Sequence, residues 1–118
     1  MWEVLEQAFE EIYEETGRPY SRQGSYGDDE TLPESFYTFW NQSSELDGWY
    51  GNNASKRIWE WNIFYYTSNP ELIYSGLDDF LNKAKSLGFI IKDSGRDITT
   101  GEVGYYGRFT TISFVEIL

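Results

Sequence analysis

The chain contains 118 residues, 19% of them aromatic, and its 20 acidic residues against 9 Lys and Arg give a formal charge of −11. It has neither cysteine nor histidine, which excludes thiol chemistry, cysteine-built zinc sites and every nucleophile that a histidine activates. The length fits a single domain, residues 1–118, and the charge opposes binding to nucleic acid or anionic lipid.

The first predicted element is an amphipathic helix over residues 2–16. Its apolar residues recur at helical spacing; they are Val4, Leu5, Ala8, Phe9, Ile12 and Tyr13. Gly17 and Pro19 follow the last turn, where both residue types end helices. The opposite face carries six glutamates, and those of the last turn oppose the helix dipole. Helix stability therefore does not explain this acidity.

Two aromatic strands are predicted next, with one loop before the first strand and another between the two. Residues 21–33 are rich in Gly, Ser, Asp and Glu without periodicity and are predicted to be a long loop. A strand is predicted over 36–41, a turn-rich loop over 42–55, and a second strand over 57–67. Alternation puts Trp59, Trp61, Ile63 and Tyr65 of the second strand on one face, and Ile58, Glu60, Asn62, Phe64 and Tyr66 on the other. Neither of its faces is therefore expected to be wholly in contact with water.

A second helix is predicted between Asn69 and Gly88. Asn69 is a capping residue, Pro70 suits the first helical position, and Gly88 suits the C-terminal end. The apolar stripe consists of Ile73, Leu77, Phe80, Leu81, Ala84 and Leu87. Gly76 within the helix costs about 1 kcal/mol relative to Ala, which indicates an irregular first turn.

The remaining residues predict a second pair of strands, over 89–92 and 105–117, with a loop over 93–104 between them. The order of elements is therefore α-β-β-α-β-β. It predicts an α+β fold with two helices packed on an antiparallel sheet, a ferredoxin-like open-faced sandwich. The uncovered face of such a sheet is expected to contact a partner.

The large aromatic residues fall into two groups according to their neighbours in sequence. The expected core group consists of Phe36, Phe39, Trp59, Trp61 and Phe80. Trp49, Tyr50, Tyr105 and Tyr106 are flanked by glycine and polar residues, which favours exposed contact residues. The alternative, that these four also fill a small core, stays open.

Neither the acidic residues nor the glycines form a recognisable catalytic or metal motif. The acids at 28–30, and Glu45 with Asp47, offer oxygens that Ca²⁺ accepts, but not at the spacing of an EF-hand loop. The glycine-rich stretch 101–107 contains no lysine and does not open a helix, so it is not a phosphate loop. We therefore predict no catalytic residue, no metal and no cofactor, and a protein that binds other protein chains rather than an enzyme.

Several short motifs resemble those of small tail-completion proteins, also called tail terminators or head-tail joining proteins, of siphophages and prophages of Gram-positive hosts. The motifs are Phe36-Tyr37-Thr38-Phe39-Trp40, the aromatic strand 59–66, Asn69-Pro70, Leu87-Gly88-Phe89, Gly95-Arg96-Asp97 and Tyr106-Gly107-Arg108. The resemblance covers residues 33–115. It implies a ring of identical subunits at the head-proximal end of the tail tube, which stops tube growth and joins the head.

The resemblance also implies partners and a location. The partners are further copies of the chain, tail-tube proteins and head-connector proteins, with DNA passing through the ring without specific binding. The location is the virion tail, and the host cytoplasm during assembly; the N-terminus lacks the pattern of a signal peptide, and no membrane contact is expected. A head-to-tail ring needs two different surfaces. We expect Trp49 and Tyr50 on one, and Tyr105, Tyr106 and Arg108 on the other.

Two other functions are compatible with the sequence. The charge also fits an acidic protein that mimics DNA and inhibits a DNA-binding protein. The aromatic content also fits a carbohydrate-binding module. A ring subunit and a free acidic inhibitor differ in oligomeric state, which is therefore the property that separates them.

Overall fold

The computed structural model describes residues 2–22, 32–51 and 53–118, without the side chain of Tyr50. These residues form two helices and six strands. The elements are α1 (Trp2–Thr16), β1 (Tyr20–Arg22), β2 (Ser35–Tyr50), β3 (Asn53–Thr67), α2 (Ile73–Ser86), β4 (Ile90–Ile91), β5 (Arg96–Ile98) and β6 (Tyr106–Ile117). The architecture is α+β, as predicted, and it contains two short strands, β1 and β5, that the sequence does not predict.

The strands form one mixed sheet in the order β1-β2-β3-β6-β4, and β5 also pairs with β6. β1 runs parallel to β2, whereas the other pairs are antiparallel. The prediction of a wholly antiparallel sheet is therefore wrong at one edge. The cause is local: the chain leaves α1 at Gly17, with a φ of 75°, and Pro19 O accepts a hydrogen bond from Tyr37 N at 2.9 Å.

Both helices pack on the same face of the sheet, and the core lies between the two layers. The core includes Leu5, Ala8, Phe9 and Ile12 of α1 and Leu77, Phe80, Leu81 and Ala84 of α2, packed against Tyr37, Phe39, Trp61, Ile63, Tyr65, Phe89 and Ile112. Of the five aromatic residues predicted for the core, Phe39, Trp61 and Phe80 are part of it, and Trp59 packs against it half-buried. Phe36 is buried as well, but on the other face of the sheet, beside Tyr66.

The start of the second helix is confirmed, but the interpretation of its glycine is not. Asn69 Oδ1 accepts a hydrogen bond from Glu71 N at 3.0 Å and caps a 3-10 turn, Pro70–Leu72, which leads into α2. Gly76 lies beyond that turn, within α2. Its carbonyl accepts a hydrogen bond from the buried hydroxyl of Tyr37 at 2.6 Å. Gly76 is therefore a site of close packing between helix and sheet.

The largest departure from the sequence prediction concerns residues 42–55, which are not a loop. β2 and β3 pair from Ser35 opposite Thr67 to Tyr50 opposite Asn53, with one β-bulge at Asn41 and Ser43. The long hairpin gives the molecule a length of 53 Å against 27 Å and 24 Å in the other dimensions. The part of the hairpin beyond the bulge, residues 42–58, is termed the hairpin arm.

Candidate interaction surface on the uncovered sheet face

The β-bulge decides which side chains of the hairpin arm face away from the helices. Asn41 Nδ2 donates to Ser43 O at 3.2 Å and to Glu60 O at 3.1 Å, which bridges the bulge. Before the bulge, odd-numbered residues of β2 such as Tyr37 point into the core. The extra residue reverses the alternation. Trp49 therefore lies on the face that the helices leave uncovered.

Four aromatic side chains and one arginine form a continuous row on that uncovered face. Phe36 stacks on Tyr66, with ring centroids 5.2 Å apart. Tyr66 stacks on Phe64 at 6.4 Å, and Phe64 on Phe109 at 5.2 Å. The guanidinium of Arg96 lies 4.5 Å from the ring centroid of Phe109. These five residues cross β2, β3, β6 and β5 and are termed the aromatic row.

The aromatic row is partly accessible and could bind a partner as well as stabilise the sheet. Phe64, Tyr66 and Phe109 are half-buried, and Trp40, on the same face opposite Asn62, is 51% exposed. Ring pairs of this kind contribute about 0.5–1.5 kcal/mol beyond their buried area, so the row has a structural role by itself. The accessible parts of Phe64, Tyr66 and Phe109, together with Trp40, additionally expose aromatic surface on this face, and protein partners often cover exposed aromatic residues.

The hairpin arm exposes large apolar side chains. Trp49 is 57% exposed and Leu46 41% exposed. β6 accompanies the arm only as far as Ile117, which pairs with Lys56. Within the described chain, the strand beside β2 on its outer edge, β1, reaches only Phe39. Among the described residues, no strand pairs with the outer edge of β2 along the arm, and an edge of this kind readily pairs with another chain.

The formal charge of the hairpin arm is zero, in contrast to that of the whole chain. Its two acids, Glu45 and Asp47, are balanced by Lys56 and Arg57, so the chain's charge of −11 arises entirely from other residues. Lys56 Nζ and Asp47 Oδ2 lie 3.7 Å apart across the strands. The arm is therefore the part of the molecule that can approach a second acidic copy with little repulsion.

The acidic charge is concentrated on the helix side of the molecule. The exposed glutamates of α1 are Glu3, Glu6, Glu10, Glu14 and Glu15. Lys83 Nζ donates to Glu15 Oε1 at 2.7 Å, and this hydrogen bond raises the pKa of Lys83. The hydroxyl of Tyr20 donates to Glu10; burial first, and then this hydrogen bond, raises the pKa of Tyr20 to about 12. The aromatic row lies on the opposite face of the sheet from this acidic layer.

The residues predicted for a subunit interface have different surroundings in the structure. Trp49 and Tyr106 are exposed, the latter by 45%, and the side chain of Tyr50 lies outside the described residues. Tyr105 is half-buried, and its hydroxyl donates to Leu32 O at 3.2 Å and to Pro33 O at 2.7 Å. Tyr105 therefore anchors the chain ahead of β2 instead of standing free.

Arg108, expected on the second of the two interface surfaces, is buried within the single chain. Arg108 is 8% exposed because β6 turns its side chain toward the helices, opposite Tyr65. Its Nη1 donates to Asp97 Oδ1 at 2.6 Å and its Nη2 to Ser94 O at 3.1 Å. Its guanidinium lies 4.7 Å from the ring centroid of Tyr74 on α2. Arg108 thus joins α2 to the segment around β5.

The sequence analysis does not predict that Arg96 and Phe109 lie on this surface. The alternation along the second predicted strand correctly assigned Phe64 and Tyr66 to the face opposite Trp61. The register that sets Phe109 beside Phe64 and Arg96 beside Phe109 is a property of three strands together. No local pattern in the sequence encodes it.

The part of the chain that the structure describes contains no group of three or more acidic side chains arranged to hold a metal ion. The acids at 28–30, which were weighed as calcium ligands, lie outside that part. None of the helices in the described ranges combines the length and apolarity that crossing a membrane requires.

The sequence matches no model of a known protein family and no curated protein sequence.

Proposed function

We propose that this protein is a structural subunit that assembles with further copies of itself into a ring. The ring closes the head-proximal end of a phage tail tube, as the resemblance to tail-completion proteins implies, and contacts tail-tube and head-connector proteins. The observation that supports self-assembly best is the hairpin arm, with Trp49 exposed on it. We also propose that the fold is a form of the ferredoxin-like sandwich and is related to the fold of tail terminators.

The hairpin arm has the properties of an assembly element. Two-stranded ribbons are marginally stable in water, and β6 supports the arm only up to Lys56. An arm that extends beyond its own core and exposes a tryptophan is costly to an isolated chain, whereas a neighbouring subunit that covers the arm removes that cost. The outer edge of β2, which no strand of the described ranges pairs along the arm, offers the same neighbour a line of hydrogen-bonding groups.

The charge distribution agrees with a ring through which DNA passes. The acidic layer formed by α1 repels phosphate, so DNA does not adhere to a surface of this kind. The arm, with no net charge, remains available for contacts between subunits. In this proposal the protein needs no catalytic group, and its partners are proteins.

Native mass spectrometry and negative-stain electron microscopy of the purified chain test the proposal. We expect closed rings of one stoichiometry larger than a dimer. Their share should increase with salt, because the Debye length falls to about 10 Å at 0.1 M and the repulsion between acidic copies is screened. A chain that stays monomeric at high concentration in every salt would contradict the ring.

One observation favours a second candidate, an acidic inhibitor that mimics DNA. The exposed glutamates of α1 lie along one helix, and a DNA-binding protein can contact such a negative surface through its phosphate-binding residues. Such an inhibitor acts as a free chain. The same mass spectra therefore distinguish the two functions, since the inhibitor is expected to be monomeric where the ring subunit is not.

A further inference from the structure

We infer that the hairpin arm of one copy lies across the aromatic row of another copy, with Glu45 of the first bonded to Arg96 of the second. This inference rests on the proposed self-assembly and identifies the two surfaces that meet. Both lie on the sheet face opposite the helices, one toward each end of the long β2–β3 hairpin.

The first argument is electrostatic. Two copies that each carry a formal charge of −11 repel one another most strongly through their helix layers. The hairpin arm has no net charge, and four of the five members of the aromatic row are uncharged rings. These two surfaces can therefore be brought together with less electrostatic repulsion than two helix layers.

The second argument is the complementarity of two charged side chains. Glu45 pairs with Ile58 across the hairpin and so shares the uncovered face with Trp49. Arg96 is exposed and stacks over Phe109. The ion pairs found in the described ranges involve neither of these two residues. Arg96 lies near Asp93, whose pKa its charge helps to lower, but beyond ion-pair distance. It can therefore pair with Glu45 across an interface, where such pairs orient the partners.

The third argument is one of dimensions. Glu45 and Trp49 are four residues apart on one strand, which corresponds to about 13 Å. From Arg96 on β5 to Tyr66 on β3 the row spans two strand spacings across the sheet and two residues along it, about 12 Å in all. A strand laid across the row therefore places Trp49 near Tyr66 when Glu45 meets Arg96. The exposed indole then covers a half-buried ring.

A disulfide experiment tests the contact directly, because the chain has no cysteine of its own. Glu45→Cys and Arg96→Cys are made as separate proteins of different tag length, and both replace exposed side chains outside the core. After mixing and mild oxidation we expect a disulfide-linked species with one copy of each, and no such product from either variant alone. Val103→Cys replaces Arg96→Cys in the control, since Val103 is 100% exposed and belongs to neither surface.

The outcomes separate the contact from the ring. A cross-link of Glu45→Cys with itself would mean that arms pair with arms, and equal cross-linking to Val103→Cys would mean random collision; either result overturns the inference. Wild-type assembly without the mixed disulfide overturns the inference and leaves the ring standing. A monomeric wild type overturns both.

Two further variants complete the test. A chain that carries both Glu45→Cys and Arg96→Cys forms a ladder of covalent oligomers if copies join head to tail. It stops at a doubly linked dimer if two copies exchange arms about a two-fold axis, which would support the contact and contradict the ring.

Glu45→Arg and Arg96→Glu should each weaken association about fivefold, and combining both changes in one chain should restore it. Failure of the combination to restore association would contradict the proposed ion pair.

Discussion

The ring of Tyr65 fills the space in which a side chain at position 76 would lie: a Cβ on Gly76 would be 2.0 Å from Cζ of Tyr65. We therefore expect Gly76→Ala to lower the free energy of unfolding by about 1–3 kcal/mol, the usual cost of overpacking. This loss runs against helix propensity, which favours Ala over Gly by about 1 kcal/mol. Urea denaturation followed by tryptophan fluorescence measures the difference.

The matched control for this variant is Gly101→Ala. Nothing lies within 4 Å of a Cβ at position 101, so we expect no loss and at most a small gain in stability through the unfolded state. If Gly76→Ala proved as stable as the wild type, Tyr65 would have to move aside at no cost, which the close packing of helix and sheet argues against.

Tyr37→Phe removes the hydroxyl that joins the sheet to α2. That hydroxyl donates to Gly76 O at 2.6 Å and accepts a hydrogen bond from Arg18 Nη1 at 3.3 Å. Burial raises the pKa of Tyr37 above its usual range, so the hydroxyl stays a donor at all moderate pH values. We expect a loss of about 1–2 kcal/mol in unfolding free energy. Tyr13→Phe, at a 50% exposed position on α1, should change little; an equal loss there would contradict the assignment.

The helices and the inner sheet could be predicted from the sequence because their signals are local. The apolar stripe of α1 and the cap at Asn69 each lie within a few residues. The two aromatic strands were recognised where large side chains alternate, at 36–41 and 57–67. The pattern also predicts the packing, since Tyr37, Phe39, Trp61 and Tyr65 of those strands face the apolar sides of the helices.

The hairpin arm could not be predicted in the same way because its strands lack that alternation. Residues 42–48 are mostly polar, and strand formation there depends on pairing with β3, which the core and β6 already hold in place. One signal was present: Gly51-Asn52 is a dipeptide found in two-residue hairpin turns, and Gly51 has a φ of 60°. The position of Trp49 on the uncovered face could not be predicted from the sequence, because it depends on the bulge at Asn41 and Ser43.

Arg108→Ala should destabilise the single chain instead of acting on a subunit interface. The side chain is almost fully buried, donates to Asp97 and to Ser94 O, and stacks on Tyr74. We expect the free energy of unfolding to fall by about 1–3 kcal/mol, the range for lost hydrogen bonds to charged groups. The loss should be smaller than for a fully buried ion pair, because Asp97 is itself largely exposed. Arg108→Lys keeps the positive charge but not the planar guanidinium group, and should therefore retain only part of the wild-type stability. Thermal unfolding of the two variants beside the exposed control Lys92→Ala measures the effect; no loss in Arg108→Ala would contradict it.

Thr110→Val should cost stability in a manner that depends on pH. The hydrogen bond from the hydroxyl of Thr110 to Asp93 Oδ1, 2.7 Å long, lowers the pKa of Asp93, and the bond from Gly95 N lowers it further. A carboxyl whose pKa is lowered by folding stabilises the protein above its unfolded pKa, about 3.9, and this contribution is lost as pH falls through the folded pKa. We therefore expect the difference in unfolding free energy between wild type and Thr110→Val, about 1 kcal/mol at pH 7, to shrink below about pH 4. A difference that stays constant from pH 7 to pH 3 would show that Thr110 acts through packing alone.

Trp49→Ala should weaken assembly without destabilising the single chain. Trp49 is 57% exposed on the hairpin arm and is not part of the core, so its loss leaves the helix–sheet packing intact and the thermal midpoint at low protein concentration unchanged. If the arm is covered by a second copy, the indole becomes an anchor. Removal of a central aromatic anchor costs about 2 kcal/mol, which corresponds to about a thirtyfold weaker association.

Tyr13→Ala removes an exposed aromatic residue of similar accessibility from the acidic helix layer and should leave association unchanged. Sedimentation velocity across salt concentrations measures both variants, and the deficit of Trp49→Ala should persist at high salt because it originates in lost apolar contact, not in charge. If Tyr13→Ala lost as much as Trp49→Ala, copies would meet through the helix layer, and the hairpin arm would not be the assembly element.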